Sequence, residues 1–220
     1  MNCSTLLEEL CNQRDWHVSE IACYKSIPHR YANPLFNNIK TTYWKMCVPM
    51  IYAHWESYVI SSFRIICDYI NDLQIKYSDI NNAIAILSNK TRFSYLSGNI
   101  DRGKQARFYS EFVLAYGSSV YLESNTCVTA KSNLNFKQLS MIFNDFGIQM
   151  PQSIEKKKIV IEKMVTYRNK IAHGENSVTV QESDILMFAN CTVELIDEII
   201  LIIKAYLENE SYLKSNHEEH

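Results

Sequence analysis

The sequence predicts an all-α, up-and-down helical bundle with a mainly helical insertion, and three observations carry that prediction. Apolar residues recur at three-and-four spacing over several long stretches, the period of one buried helical face. Only 5 Gly and 4 Pro are spread over 220 residues, little material for many tight turns, so few and long elements are expected. The chain is also long enough for one ample core, and its 47% hydrophobic and 21% charged residues are ordinary for a soluble globular protein. No repeat or low-complexity tract interrupts it.

Residues 1–25 form a first helix on Leu6, Leu7, Leu10, Trp16 and Ile21, with Glu8, Glu9 and Arg14 outside the stripe. Pro28 and Pro34 make 26–38 a connection, in which Arg30 and Tyr31 read as linker residues. Residues 41–69 are the most apolar helix. Met46, Met50, Ile51, Trp55, Val59, Phe63 and Ile66 help to cover nearly its whole circumference, which places it at the centre of a bundle. His54, Glu56 and Arg64 argue against a membrane span, and Pro49 marks a kink or the helix's first turn.

Residues 72–131 are expected to be the insertion. Ile80, Ala83, Ile84 and Leu87 predict a short helix and 99–103 a turn; 108–116 fits helix or strand, and 120–129 alternates weakly. Asn133 or Asn135 then caps a helix on Phe136, Leu139, Ile142, Phe143 and Phe146 that stops at Gly147. The last helix opens with a capping box at Thr179-Val180-Gln181-Glu182, or with Ser183, and runs to about residue 208. Glu194, Asp197 and Glu198 argue against its crossing a membrane. Its apolar residues cover more than one face, which predicts a homodimer that buries part of them. The result is a single domain over 1–210 and a polar, frayed tail over 211–220.

The most informative stretch is Tyr167-Arg168-Asn169-Lys170-Ile171-Ala172-His173-Gly174. Ile161, Met164, Val165, Ile171 and Ala172 mark a buried face, and Arg168 falls inside it, where an unpaired guanidinium is costly. That predicts an anionic partner. Gly174 is the natural stop, leaving His173 in the last turn, where the helix dipole favours a cation. Asn169 and His173 share a face, whereas Arg168 and His173 lie roughly 140° apart. An Arg and a His near a helix end often serve only as dipole partners or caps, and the octapeptide alone leaves the two readings level. A second stretch, Tyr52-Ala53-His54-Trp55-Glu56, sets a His and a Glu in an apolar helix, where each needs a partner; a packing or supporting role outweighs a direct catalytic one.

The net charge of −2 makes no overall case for nucleic acid. An RNA site would have to be local, around Lys156, Lys157, Lys158, Lys163 and Lys170 or around Arg102, Lys104 and Arg107, and either cluster equally fits a solvated helix face. The seven scattered cysteines contain no C-x-x-C and no signal peptide precedes them, which predicts reduced thiols and a cytoplasmic setting. The six histidines have no metal-ligand spacing, so neither metal nor cofactor is expected.

Arg168-Asn169-Lys170-Ile171-Ala172-His173 resembles the R-x4-H signature of the HEPN superfamily, whose active members are metal-independent endoribonucleases. Tyr52-Ala53-His54-Trp55-Glu56 and Ser132-Asn133-Leu134-Asn135 with its following Phe-Gly-Ile resemble a subgroup of stand-alone bacterial HEPN proteins. The resemblance spans roughly residues 40–200 and is weakest before residue 125. It implies two protomers that face their motifs across a composite cleft, and RNA cut by its own 2′-hydroxyl to leave a 2′,3′-cyclic phosphate. His173 would be general acid or base, Arg168 would hold the scissile phosphate, and Asn169 would orient His173 or donate to a phosphate oxygen. Lys163 and Lys170 would bind RNA, with His54 and Glu56 in support. A toxin-like or antiphage role, checked by a neighbouring regulator or antitoxin, is implied as well. Two other classes stay open: a catalytically silent HEPN scaffold that binds nucleotide or a partner protein, and a helical adaptor with no nucleic-acid role.

Overall fold

The structure, a computed structural model, describes residues 2–30, 37–93, 101–175 and 177–214. Arg30's side chain and Tyr31, the first half of the turn expected at 99–103, and the two tail histidines lie outside the described residues. The chain is all-α. Four long helices make the bundle: α1 (Cys3–Arg30), α2 (Asn37–Asp72), α9 (Lys158–Ala172) and α10 (Glu182–Glu208). Between them come α3 (Asn82–Ser88), α4 (Lys90–Phe93), α5 (Arg102–Ala115), α6 (Ser124–Cys127), α7 (Phe136–Asp145) and α8 (Gln152–Glu155). No helix among the described residues is long and apolar enough to cross a membrane.

As expected, α2 is central: it packs on α1, α9, α10 and α6. Val48, Ile51, Trp55, Val59, Phe63 and Ile66 are fully buried within it. Pro49 does not mark the first turn, because α2 begins twelve residues earlier and continues through it. α1 likewise runs on through Pro28 to Arg30, further than the composition implied.

The weakly alternating residues 120–129 are not a strand. Asn71 donates to the Leu122 carbonyl (2.9 Å) and accepts from its N–H (2.7 Å), and the Val120 N–H donates to the Ile75 carbonyl at 2.7 Å, so one amide side chain and one backbone bond tie down the start of the segment. Residues 108–115 resolve as helix, within α5, capped by Asp101, which accepts from the Gly103 N–H at 2.9 Å, with Tyr116 as the C-cap. Residues 211–214, expected as frayed tail, are packed. Tyr212 is buried against Tyr69 and Tyr206, and its carbonyl accepts from the Asn81 N–H at 2.9 Å.

The surplus apolar surface of α10 is used inside the bundle. Ile185, Phe188, Leu195, Ile196, Ile199 and Ile203 are buried against α1, α2 and α9, and of its large apolar side chains only Leu201 stands well exposed. A dimer therefore finds no broad apolar face there, and the reason given for one from α10 fails. Among the described residues α1, α9 and α10 each expose one large apolar side chain (Trp16, Ile159, Leu201), whereas α2 exposes three, Ile39, Met46 and Met50.

α1 and α2 are joined by a buried histidine pair. His17 and His54 meet Nδ1 to Nδ1 at 2.8 Å, so one ring donates and the other accepts, and Tyr24 Oη lies 3.2 Å from His54 Nε2. Trp16 and Tyr58 enclose the rings. Burial, then the neighbouring His54, lowers the His17 pKa from 6.5 to about 4, and burial lowers His54 as well, with Glu20 opposing. Between those pH values the unfolded chain binds more protons than the folded one. Stability should accordingly fall as pH drops from about 6.5 to about 4, by about 3 kcal/mol at most for His17, and then level off. Urea melts at stepped pH on wild type and His17→Phe/His54→Phe test this; the same pH slope in both proteins would contradict it.

Candidate active site

The site is assembled where an irregular segment, residues 133–135, is clamped between α2 and α9. Loop backbone buried in a core needs partners, and side chains supply them. Leu134 is fully buried; its N–H donates to Tyr52 Oη at 2.6 Å, and its carbonyl accepts from Trp55 Nε1 at 3.3 Å. Asn135 caps α7, accepting from the Gln138 N–H at 2.9 Å. The Phe136 N–H donates to Glu162 Oε1 of α9 at 3.0 Å. Both faces of the segment are thus fixed, and Asn133 at its start is held beside α9.

Arg168 points into this corner. Its Nη1 donates to Asn133 Oδ1 at 3.1 Å and to Asn169 Oδ1 at 3.0 Å, and its guanidinium lies over the Tyr52 ring, 5.0 Å from the centroid. Among the described residues no carboxylate touches Arg168, so the expected anionic partner is not found there. Two amide oxygens and an aromatic face take its place, since a weakly hydrated planar cation is satisfied by both. The nearest carboxylate in this chain of contacts, Glu56, reaches Arg168 only through Tyr52. Tyr52 Oη donates to Glu56 Oε2 one helical turn on, in a short contact. Burial, then that hydrogen bond, pushes the Tyr52 pKa well above the ordinary tyrosine value, so the phenol stays protonated.

α9 ends about one turn further on, at Ala172. The Glu175 N–H donates to the Lys170 carbonyl and the Gly174 N–H to that of Ile171, at 2.9 and 3.0 Å, and Gly174 takes φ +72°. This is the left-handed stop that glycine permits. His173 is the C-cap; its N–H donates to the Asn169 carbonyl at 3.0 Å while its side chain is exposed.

The predicted residues therefore divide. Arg168, Asn169 and Glu56 share one contact network. His173 stands outside it, facing solvent. His54 is on the other flank of α2, turned to α1. Asn169 Oδ1 is taken by Arg168, which leaves its Nδ2 as the donor of the pair. Lys163 is also committed: its ammonium pairs with Asp184 Oδ1 at 2.8 Å and lies 5.3 Å from the centroid of the Tyr167 ring. Asp184 in turn accepts from the Gln181 N–H at 3.0 Å, so the last helix is capped from Gln181, two positions after the expected Thr179 cap and two before the alternative Ser183. Lys157 pairs with Glu194 and Arg107 with Glu111, so each basic cluster is neutralised in part. Lys170 keeps a side chain without a polar partner among the described residues. Tyr52 and Asn133, now central, had been visible only as members of longer strings.

A family model described as HEPN_MAE_28990-like HEPN matches residues 6–212. No curated protein and no solved structure matches the chain.

The contact network is testable without any substrate. Tyr52→Phe keeps the ring beneath Arg168 but leaves the Leu134 N–H and the Glu56 carboxylate without their partner. That should cost about 1–3 kcal/mol in urea unfolding, the usual penalty for an unsatisfied buried polar group. An unchanged unfolding free energy would show that the hydroxyl bonds do not hold the segment.

Proposed function

The chain belongs to the HEPN_MAE_28990-like HEPN family, and from that premise we propose that it is a metal-independent endoribonuclease. The observation that carries the reading is Arg168, held by neutral partners and without a carboxylate partner among the described residues, five residues before an exposed His173. A guanidinium whose local neighbours are amide oxygens and a ring face retains its full charge for a phosphate oxygen. In the proposed reaction the substrate's 2′-hydroxyl attacks the adjacent phosphorus and the 5′-oxygen leaves, giving a 2′,3′-cyclic phosphate. The RNA supplies its own nucleophile, so no metal-bound water is needed. Arg168 stabilises charge that builds on the phosphoryl oxygens, and His173 moves a proton to or from the reacting oxygens.

His173 and the Arg168 guanidinium point apart within one chain, which favours a composite site from two protomers. The exposed Ile39, Met46 and Met50 of α2, which share a face away from Tyr52, support a homodimer. A toxin-like or antiphage setting, with a neighbouring regulator, completes the proposal. The competing reading is a silent scaffold that binds nucleotide or a partner protein. It draws on the same contacts, because Arg168 already bridges Asn133 and Asn169.

The two separate by kinetics. His173→Ala should lower the cleavage rate of single-stranded RNA roughly 10²- to 10⁴-fold, the usual worth of general acid–base catalysis. Arg168→Ala should lower turnover more than RNA affinity, and Arg168→Lys should rescue poorly, since a point charge cannot replace a planar fork. Cleavage should persist in EDTA. Full activity of either alanine variant, or a strict divalent-ion requirement, would refute the mechanism.

A further inference from the structure

A cleft of about 510 Å³ opens along α2 beyond Tyr52, walled by Gln13 of α1, by Glu56, Ser57 and Arg64 of α2, and by Ala130 and Lys131. It joins the Arg168 corner by two routes. Glu56 lines the cleft and also accepts the Tyr52 proton beneath Arg168. Lys131 lines it two residues before Asn133, which accepts from Arg168. The cleft is thus the next space a strand would enter after passing Arg168.

Its chemistry is mixed in an informative way. Glu56 Oε2 is taken by Tyr52, whereas Oε1 has no partner among the described residues. Arg64 donates Nε and Nη2 to the Val128 carbonyl, at 3.2 and 3.1 Å, which fixes its guanidinium and leaves Nη1 over. Lys131 is held at φ +53°, with its N–H on Thr129 Oγ1 at 2.9 Å, and its ammonium has no partner among the described residues. Two cations suit a nucleic-acid backbone. A carboxylate between them would repel phosphate, and it makes sense only against a group that donates hydrogen bonds.

We infer that this cleft binds one unstacked base of the RNA next to the scissile phosphate, with Glu56 reading its edge and Lys131 meeting the adjoining phosphate. This rests on the endoribonuclease reading. Single-stranded RNA is recognised by splaying bases out and bonding their edges. A carboxylate, an acceptor only, fits best where two N–H donors lie side by side. Guanine presents N1–H and N2–H that way. Uracil N3–H is flanked by two carbonyls, and the amino groups of adenine and cytosine sit beside a ring acceptor, so all three set a lone pair against Glu56. Guanine is the base the cleft selects.

The test is cleavage of a single-stranded RNA pool randomised around the cut, with product ends sequenced. Wild type should show guanine enriched at one fixed offset. Glu56→Gln still accepts from Tyr52 but turns one side of the group into a donor, and should reduce that enrichment roughly 10-fold. Ser57→Trp, at an exposed position without contact to Tyr52, fills the cleft and should flatten the profile and raise KM with kcat little changed. Lys131→Ala should raise KM several-fold. If Arg168 is required for cleavage but the base profile and KM are the same in wild type, Glu56→Gln and Ser57→Trp, the pocket is wrong and the nuclease reading stands. If Arg168→Ala cuts as wild type does, or wild type neither cuts nor binds the pool, the nuclease reading falls and the pocket with it.

Discussion

The phenol of Tyr52 is where three parts of the chain are tied together. Its hydroxyl accepts the buried Leu134 N–H and gives its proton to Glu56, while its ring lies under the Arg168 guanidinium. Remove the hydroxyl, and a buried loop loses the bond that fixes its height above α2. Remove the ring, and the guanidinium loses the face that orients it. Trp55, which holds the Leu134 carbonyl, and Glu162, which holds the Phe136 N–H, share the load, so segment 133–136 is a rigid strut between α2 and α9. Arg168 stays available because that strut presents it with an amide oxygen and a ring, not a carboxylate.

The electrostatics of the rest of the surface fit a local site. With a net charge of −2, the chain does not gather RNA by bulk attraction. Lys157, Lys163 and Lys90 are each paired with a carboxylate. Surface pairs of this kind are worth about 0–1 kcal/mol, so phosphate can compete for them, but none offers a ready-made anion site. Among the described residues, Lys170 on the motif helix and Lys131 at the cleft have no ion-pair partner. Substrate selection by base edge suits such a surface better than selection by charge.

The bundle was legible in the sequence because helical periodicity is local: the all-round apolar α2, the Asn135 cap and the Gly174 stop follow from residues within a turn or two of one another. The apolar excess of α10 was misread because the number of neighbours a helix has is a tertiary fact, and α10 has three. The Arg168 corner was half legible. A cation in an apolar stripe needs a partner, but whether that is a carboxylate or an amide 35 positions away cannot be read from local pattern. His54 and Glu56 looked equivalent as polar residues of one apolar helix. Two positions apart, they fall on opposite flanks, one meeting His17 and the other Tyr52. Lys163 looked like an RNA contact for want of the one fact that Asp184, after a loop, returns beside it.

The central claim is that Arg168 and His173 perform chemistry on RNA and are not merely helix-end fittings. End-group analysis of RNA treated with wild type and with Arg168→Ala/His173→Ala, both confirmed as folded by thermal melting, tests it most directly. The account predicts 2′,3′-cyclic phosphate ends from wild type in the presence of EDTA, and no such ends from the folded double variant. Cyclic phosphate ends from the double variant at the wild-type rate would contradict it.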